Sequence, residues 1–133
     1  EYAGNQPVAI ERFALECTRQ VHVHFDRGHL RQVLWNLVRN AVRHASQRPG
    51  SIRLALRAYG NQVELSVVDD GPGVPKAHQP HLFEPCCTTS SGGTGLGLYL
   101  ARGLCGANRA RLEYVDSEPG AHFRIVCEET VAA

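Results

Sequence analysis

The sequence predicts an α+β fold: a two-layer α/β sandwich in which one mixed, mostly antiparallel sheet is covered on one face by helices. Three observations carry this expectation. Leu30, Val33, Leu34, Leu37, Val38, Ala41, Val42 and Ala45 recur at helical spacing. Residues 51–58 and 63–68 alternate apolar with polar side chains, as half-buried strands do. Strands and helices mix without the regular βαβ alternation of a doubly wound sheet. At 133 residues, 43% hydrophobic and 20% charged, the chain is long enough for one core and too short for two ordinary ones. A single domain over residues 1–133 is expected.

From the N-terminal end, residues 7–20 place Val8, Ile10, Phe13, Ala14 and Cys17 at intervals of three and four, which predicts a helix with one apolar stripe. Val21, Val23 and Phe25 then alternate with His22 and His24, predicting a strand that Asp26 ends. The long helix follows, and Pro49-Gly50 stops it. Ile52, Leu54 and Leu56 set against Arg53 and Arg57 predict a strand, Gly60-Asn61 turns the chain, and residues 63–68 return as the hairpin partner. Asp69-Asp70-Gly71-Pro72-Gly73 breaks the pattern, and a loop with one helical turn extends to about Gly93. Leu96, Leu100 and Leu104 mark a second helix over residues 96–105. Strands over residues 111–115 and 122–127 flank a turn at Ser117-Glu118-Pro119-Gly120.

Composition excludes several function classes. The formal net charge is +1 and the fourteen Lys and Arg residues are scattered, so there is no basic footprint for nucleic acid. Five cysteines, odd in number and without a CxxC pair, predict free thiols in a reducing compartment rather than a disulfide framework or a zinc site. No apolar run approaches the roughly 20 residues of a membrane-spanning helix, and nothing reads as a signal peptide. The absence of Met and the start at Glu1 predict a piece of a longer protein.

Three clusters could carry chemistry. On the long helix Asn36, Asn40 and Arg43 share one face, roughly opposite the centre of the apolar stripe. Asparagine is a mediocre helix former, its amide oxygen is a hard neutral ligand suited to magnesium, and an arginine one turn on can bind phosphate bidentately. Solvated surface asparagines are the competing reading. Asp69 and Asp70 stand where a strand ends, beside glycines that open backbone conformations closed to other residues. A carboxylate there can accept the exocyclic amine of adenine, although a plain turn uses the same residues. Gly93-Thr94-Gly95-Leu96-Gly97-Leu98 puts three glycines at a helix start, where free amides and the positive dipole end favour an anion. A hinge is the other account, compatible with the first. The glycines fit neither a Walker loop nor a dinucleotide fingerprint.

In order, Asn36 to Asn40 in LWNLVRNAVRHA, DDGPGV from Asp69, Phe83-Glu84-Pro85 and GTGLGL from Gly93 resemble the N box, first glycine box, F box and second glycine box of the catalytic domain of sensor histidine kinases. The resemblance covers about residues 7–128, and the run from Leu98 to Arg102 is similar to the nitrogen-regulatory and type IV pilus sensor kinases. It implies the sandwich shared with gyrase, Hsp90 and MutL, binding ATP and Mg2+ between the long helix and a lid. Asn40 would be the magnesium ligand, Asn36 and Arg43 would contact phosphates, and Asp69 would hold the adenine amine. Gly71, Gly73, Val74, Phe83, Thr88, Thr89, Gly93, Thr94, Gly95, Leu96, Gly97 and Leu98 would complete the nucleotide contacts.

The implied reaction passes the γ-phosphoryl group to a histidine on a separate dimerisation domain and from there to a response regulator receiver domain. The implied setting is a cytoplasmic part of a homodimer. None of the seven histidines has the acidic residue, basic residue and proline of that acceptor after it, so the acceptor is expected elsewhere. Asn36 stands where ATP-hydrolysing relatives have a water-activating Glu, and an amide cannot take that proton. Against the family pattern, Cys86-Cys87 replace two aromatics, Ser90 replaces a lid cation, and His122 stands where a threonine is common near the base. These departures keep open a degenerate ATP- or ADP-binding regulatory module. A serine kinase of the anti-sigma-factor type is a third reading.

Overall fold

The computed structural model describes residues 2–3, 6–7, 10–17, 19–85, 96–116 and 120–130. Along them lie β1 (Tyr2–Ala3), β2 (Gln6–Pro7), β3 (Phe13–Cys17), α1 (Arg27–His44), β4 (Ile52–Tyr59), β5 (Gln62–Asp69), α2 (Gly97–Ala107), β6 (Arg111–Val115) and β7 (His122–Glu128). Short 3-10 turns occur at Ile10–Arg12 and Gln79–His81. Five strands form one sheet in the order β3-β4-β5-β7-β6, with β1 and β2 a separate antiparallel pair. Only β3 against β4 is parallel within the sheet; the other neighbours are antiparallel, giving the mixed sandwich the sequence predicts.

Helix α1 begins where the Asp26 carboxylate accepts the His29 amide at 3.0 Å, satisfying one orphan donor. That bond holds the Asp26 carboxyl below its ordinary pKa. Val33, Leu37 and Ala41 form the stripe that α1 buries. Its far end is closed by a residue from outside the helix. The buried Arg12 guanidinium donates to the carbonyls of Ser46 at 3.1 Å and of Val42 and Ala45 at 3.3 Å. The Val42 carbonyl is one that the helix leaves unpaired and those of Ala45 and Ser46 follow at its exit, so the cation also meets the negative end of the dipole.

Helix α2 packs on α1 through Ala101 and Cys105. Asn108, just past its end, ties the two helices. Its Oδ1 accepts the Asp26 amide at 2.8 Å, and its Nδ2 donates to the Leu104 carbonyl at 2.7 Å. Under the helices, Ile52 faces Asp69 and Leu54 faces Val67 across β4 and β5. Phe123 of β7 fills the centre, edge-on to Tyr114 with 5.2 Å between ring centroids and to Phe83 with 6.2 Å. The opposite face of the sheet carries the alternate residues, among them Arg53, Arg57, Ser66 and His122. Among the described residues no helix is long and apolar enough to cross a membrane. The described cysteines, Cys17, Cys105 and Cys127, are free.

Two predicted elements are replaced. The helix expected over residues 7–20 gives way to Gln6–Pro7 in β2, a 3-10 turn and the edge strand β3. Its spacing fits a helix, but parallel pairing of Phe13 through Cys17 with Ile52 through Leu56 overrides that local preference. The strand expected over residues 21–25 reduces to one bridge, Val23 to Glu129, with Thr130 donating to the His22 carbonyl at 2.7 Å. Phe25 packs against the core and Asp26 begins α1, so no room remains for a strand. The turn at residues 117–119 lies outside the described residues, and Gly120 follows it with φ of 84°.

Replacing Arg12 by Ala removes three bonds to half-buried carbonyls, so stability to urea should fall by about 1–3 kcal/mol. Arg12→Lys should recover only part of that loss, since one ammonium cannot reach all three oxygens. An unchanged unfolding midpoint in Arg12→Ala would contradict the cap.

Candidate functional site

Strand β5 ends at Asp69, which is 3% exposed and sits at a corner built from backbone. The Asp69 Oδ1 accepts the Gly71 amide at 2.8 Å and the Ala121 amide at 3.4 Å, while its own amide donates to the Ala121 carbonyl at 3.0 Å. Burial pushes the carboxyl pKa up, and the two backbone bonds pull it partly back. Three glycines make the corner possible. A Cβ on Gly71 would collide with the His44 carbonyl oxygen, and one on Gly120 with the Asp69 carbonyl. Gly73 has φ of 77°, a left-handed conformation that favours glycine, and its neighbour Val74 donates to the Tyr114 hydroxyl at 3.2 Å.

Asp70 turns away from this floor and clamps the end of α1. Its Oδ1 accepts the Ser46 amide at 2.7 Å and its Oδ2 the Ser46 hydroxyl at 2.6 Å. The Ser46 hydroxyl, then the Ser46 amide, hold the Asp70 carboxyl below its ordinary pKa. The two adjacent aspartates are thereby separated into one buried acceptor and one structural clamp.

On α1, Asn36, Asn40 and His44 follow one another a turn apart along the same face. The His44 carbonyl abuts Gly71 at one end of that face. At the other end the Asn36 Nδ2 donates to the Gly97 carbonyl in the first turn of α2 at 3.1 Å. Asn40 stands between, half-buried, with no hydrogen-bond partner among the described residues. Arg43 is exposed and likewise has no partner among them. This face flanks the buried stripe and looks toward α2 and the Asp69 corner; it does not lie opposite the stripe's centre as the spacing alone suggests. Asn36 is engaged at both amide atoms, since its Oδ1 also accepts from Gln32 Nε2 at 3.1 Å.

Gly97 opens α2, and the side chain of the N-cap residue Leu96 makes no capping bond. Leu98 packs on the core, as do Val74 and Phe83. Above Phe83 lies the Arg102 guanidinium, 5.5 Å from the ring centre. Thr88, Thr89, Gly93, Thr94 and Gly95, together with Cys86, Cys87 and Ser90, lie outside the described residues. His122 is not beside this corner. It pairs with Val68 on the far side of the sheet, where its Nε2 lies 3.0 Å from the Ser66 hydroxyl. The core position of Phe123 dictates this, because neighbouring strand residues point to opposite faces.

Sequence reasoning missed Arg12, Ser46 and Gly120, the residues that lock the corner. Only the glycine carried a signal, in a turn-forming run. Among the described residues no group of three or more His, Cys, Asp and Glu could hold a metal. The available ligand is a neutral amide oxygen at Asn40, which suits a hard ion that keeps several waters.

Comparison with known proteins places this geometry. Residues 25–130 match the family described as histidine kinase-, DNA gyrase B-, and HSP90-like ATPase. The sensor protein kinase PilS of Pseudomonas aeruginosa is 46% identical over 110 residues, covering 79% of this chain and 21% of PilS. The sensory histidine kinase/phosphatase NtrB of Rhizobium leguminosarum bv. phaseoli is 34% identical over 119 residues, covering 78% of this chain and 31% of NtrB. The chain thus spans between a fifth and a third of these relatives. Among solved structures, the catalytic domain of histidine kinase ThkA superposes with a TM-score of 0.79 at 29% identity, covering 88% of this chain and 78% of that one. Full-length ShkA in complex with AMPPNP superposes with a TM-score of 0.77 at 31% identity, covering 91% of this chain and 26% of ShkA. The resemblance to sensor histidine kinases is borne out.

The sign of the Asp69 shift yields a prediction. An acid whose folded pKa lies above its unfolded value holds more protons when folded, so its contribution to stability falls as pH rises from 3.8 through the raised value. Asp69→Asn should remove that slope and leave the urea midpoint at neutral pH unchanged or higher. A large loss of stability at neutral pH in Asp69→Asn would contradict it.

Proposed function

The chain belongs to the histidine kinase-, DNA gyrase B-, and HSP90-like ATPase family, and from that premise we propose that it binds Mg-ATP and presents the γ-phosphoryl group to a histidine on a separate dimerisation domain. The observation that carries this is the unpaired amide of Asn40, halfway between the Asp69 corner and the first turn of α2. Asp69 accepts the adenine amine. It would repel a guanine carbonyl at the same place, which selects the base by an acceptor that only one purine satisfies. Asn40 holds Mg2+, which when bound neutralises phosphate charge.

Arg43, exposed and free among the described residues, reaches toward the phosphates. Asn36 contributes there by exchanging one of its two present bonds, to Gln32 or to Gly97, for a phosphate oxygen. That exchange links nucleotide binding to the position of α2. The residues on this face include no carboxylate poised to deprotonate water, and an amide at Asn36 cannot replace one. The chain's contribution is therefore positioning and charge neutralisation for an incoming imidazole. The receiving histidine, the receiver domain downstream and the homodimer belong to the same proposal, as does a cytoplasmic setting.

In calorimetry with ADP, Mg2+ should strengthen binding to the parent chain and no longer do so in Asn40→Ala. Asp69→Asn should weaken ADP about tenfold or more, the cost of a lost charged hydrogen bond. Mixed with a dimerisation-domain fragment and labelled ATP, the chain should place base-stable, acid-labile label on histidine. Label on serine would replace this reading by that of a serine kinase, and binding without label by that of a regulatory module.

A further inference from the structure

We propose that the face of the sheet turned away from the helices carries a second ligand site, a cleft of about 330 Å³ that takes the phosphoryl group of a small molecule. Its shape follows from strand alternation. Ala55 of β4 faces Ser66 of β5, so two short side chains leave a floor. Around it stand Arg53 and Arg57, on either side of Ala55 along β4, and His122 of β7. Ser51 and Arg53 stand two residues apart, about 7 Å at their Cα atoms, while Arg57 lies four residues beyond Arg53, about 13 Å away, so its long side chain must lean in over Ala55 for both forks to meet one multi-oxygen anion.

The charges of this face are unevenly consumed. Glu113 is taken by Arg124 at 2.7 Å and Arg111 at 3.1 Å, and Asp70 by Ser46. Arg57 is engaged by Tyr59 and, loosely at 3.6 Å, by Glu16, whose side chain like its own is more than half exposed, and it faces Glu64 across the strands. Arg53 has no hydrogen-bond or ion-pair partner among the described residues. His122 registers the surplus: burial first, then Arg124, Arg53 and Arg57, disfavour its charged form, with Glu64 the counterweight.

A second observation points to a missing oxygen. Ser51 lines the cleft, is 5% exposed, and its hydroxyl is a buried polar atom with no hydrogen-bond partner among the described residues. Buried donors are seldom left unused. A phosphoryl oxygen in the cleft would accept from Ser51 while its neighbours accept from the arginines. A tetrahedral anion offers acceptors in those diverging directions, and the cleft is roomier than a bare phosphate requires. The cleft opens on the opposite side of the sheet from Asn40, but Asp69 and Asp70 also line it, so it shares a wall with the adenine corner; the Asp69 carboxylate is held there by the Gly71 and Ala121 amides and the Asp70 carboxylate by Ser46.

The test is a titration of the isotopically labelled chain with inorganic phosphate, followed by amide NMR at constant ionic strength. Saturable shifts are expected at Ser66, Val68 and His122. Arg53→Ala, an exposed substitution that leaves the core untouched, should weaken the affinity about tenfold, and Ser51→Ala should weaken it several-fold. Repeating the titration with saturating ADP separates the sources: shifts at Asn36 and Asn40 report the nucleotide site, and shifts at the cleft from ADP itself would identify a nucleotide tail as ligand. Absence of saturation, equal affinity in Arg53→Ala, or response to a glutamate-rich peptide without response to phosphate would each overturn the proposal.

Discussion

Everything the chain offers to a ligand depends on how the last turn of α1 is fastened to the end of β5. Three independent devices meet there. Arg12 neutralises and satisfies the carbonyl end of the helix, Asp70 clamps the Ser46 amide and hydroxyl, and Gly71 lets the His44 carbonyl approach as closely as a Cβ-free residue allows. With that turn fixed, the positions of Asn40 and Asn36 relative to Asp69 follow from helix geometry alone. The contacts are mostly with backbone atoms, which have few alternative places to go. A ligand binding between them meets a preorganised frame rather than groups it must assemble.

The two aspartates of the corner show how environment divides one residue type into two roles. Asp70 accepts two short bonds from Ser46 and is stabilised as an anion, so it spends its charge on the fold. Asp69 is buried, its carboxyl raised by desolvation, and it is retained despite that cost. A buried carboxylate with only backbone donors on one oxygen is poor for stability and useful as an acceptor. Where a fold carries such a group, function is the natural reason.

Much of the fold is legible in the sequence. The apolar stripe of α1, the hairpin from Ile52 to Asp69 and the strands at Arg111 and His122 have periods that no tertiary contact contradicts. Residues 10–17 were illegible for a definite reason. Phe13, Ala14 and Cys17 keep a helical interval, but their partner strand begins at Ile52, and pairing at that sequence distance leaves no local trace. Arg12 was equally hidden, because its partners are carbonyls at positions 42, 45 and 46. His122 could have been placed correctly: one residue before a core phenylalanine in a strand, it must face the other way. The same alternation in Arg53-Leu54-Ala55-Leu56-Arg57 already foreshadows a polar outer face.

The most direct test of the central claim is a crystal structure of the chain with ADP and Mg2+. The account predicts the adenine amine within hydrogen-bond distance of the Asp69 carboxylate, the metal on the Asn40 amide oxygen, and the phosphates between α1 and the start of α2. A nucleotide seated elsewhere, or an adenine whose amine points away from Asp69, would contradict it.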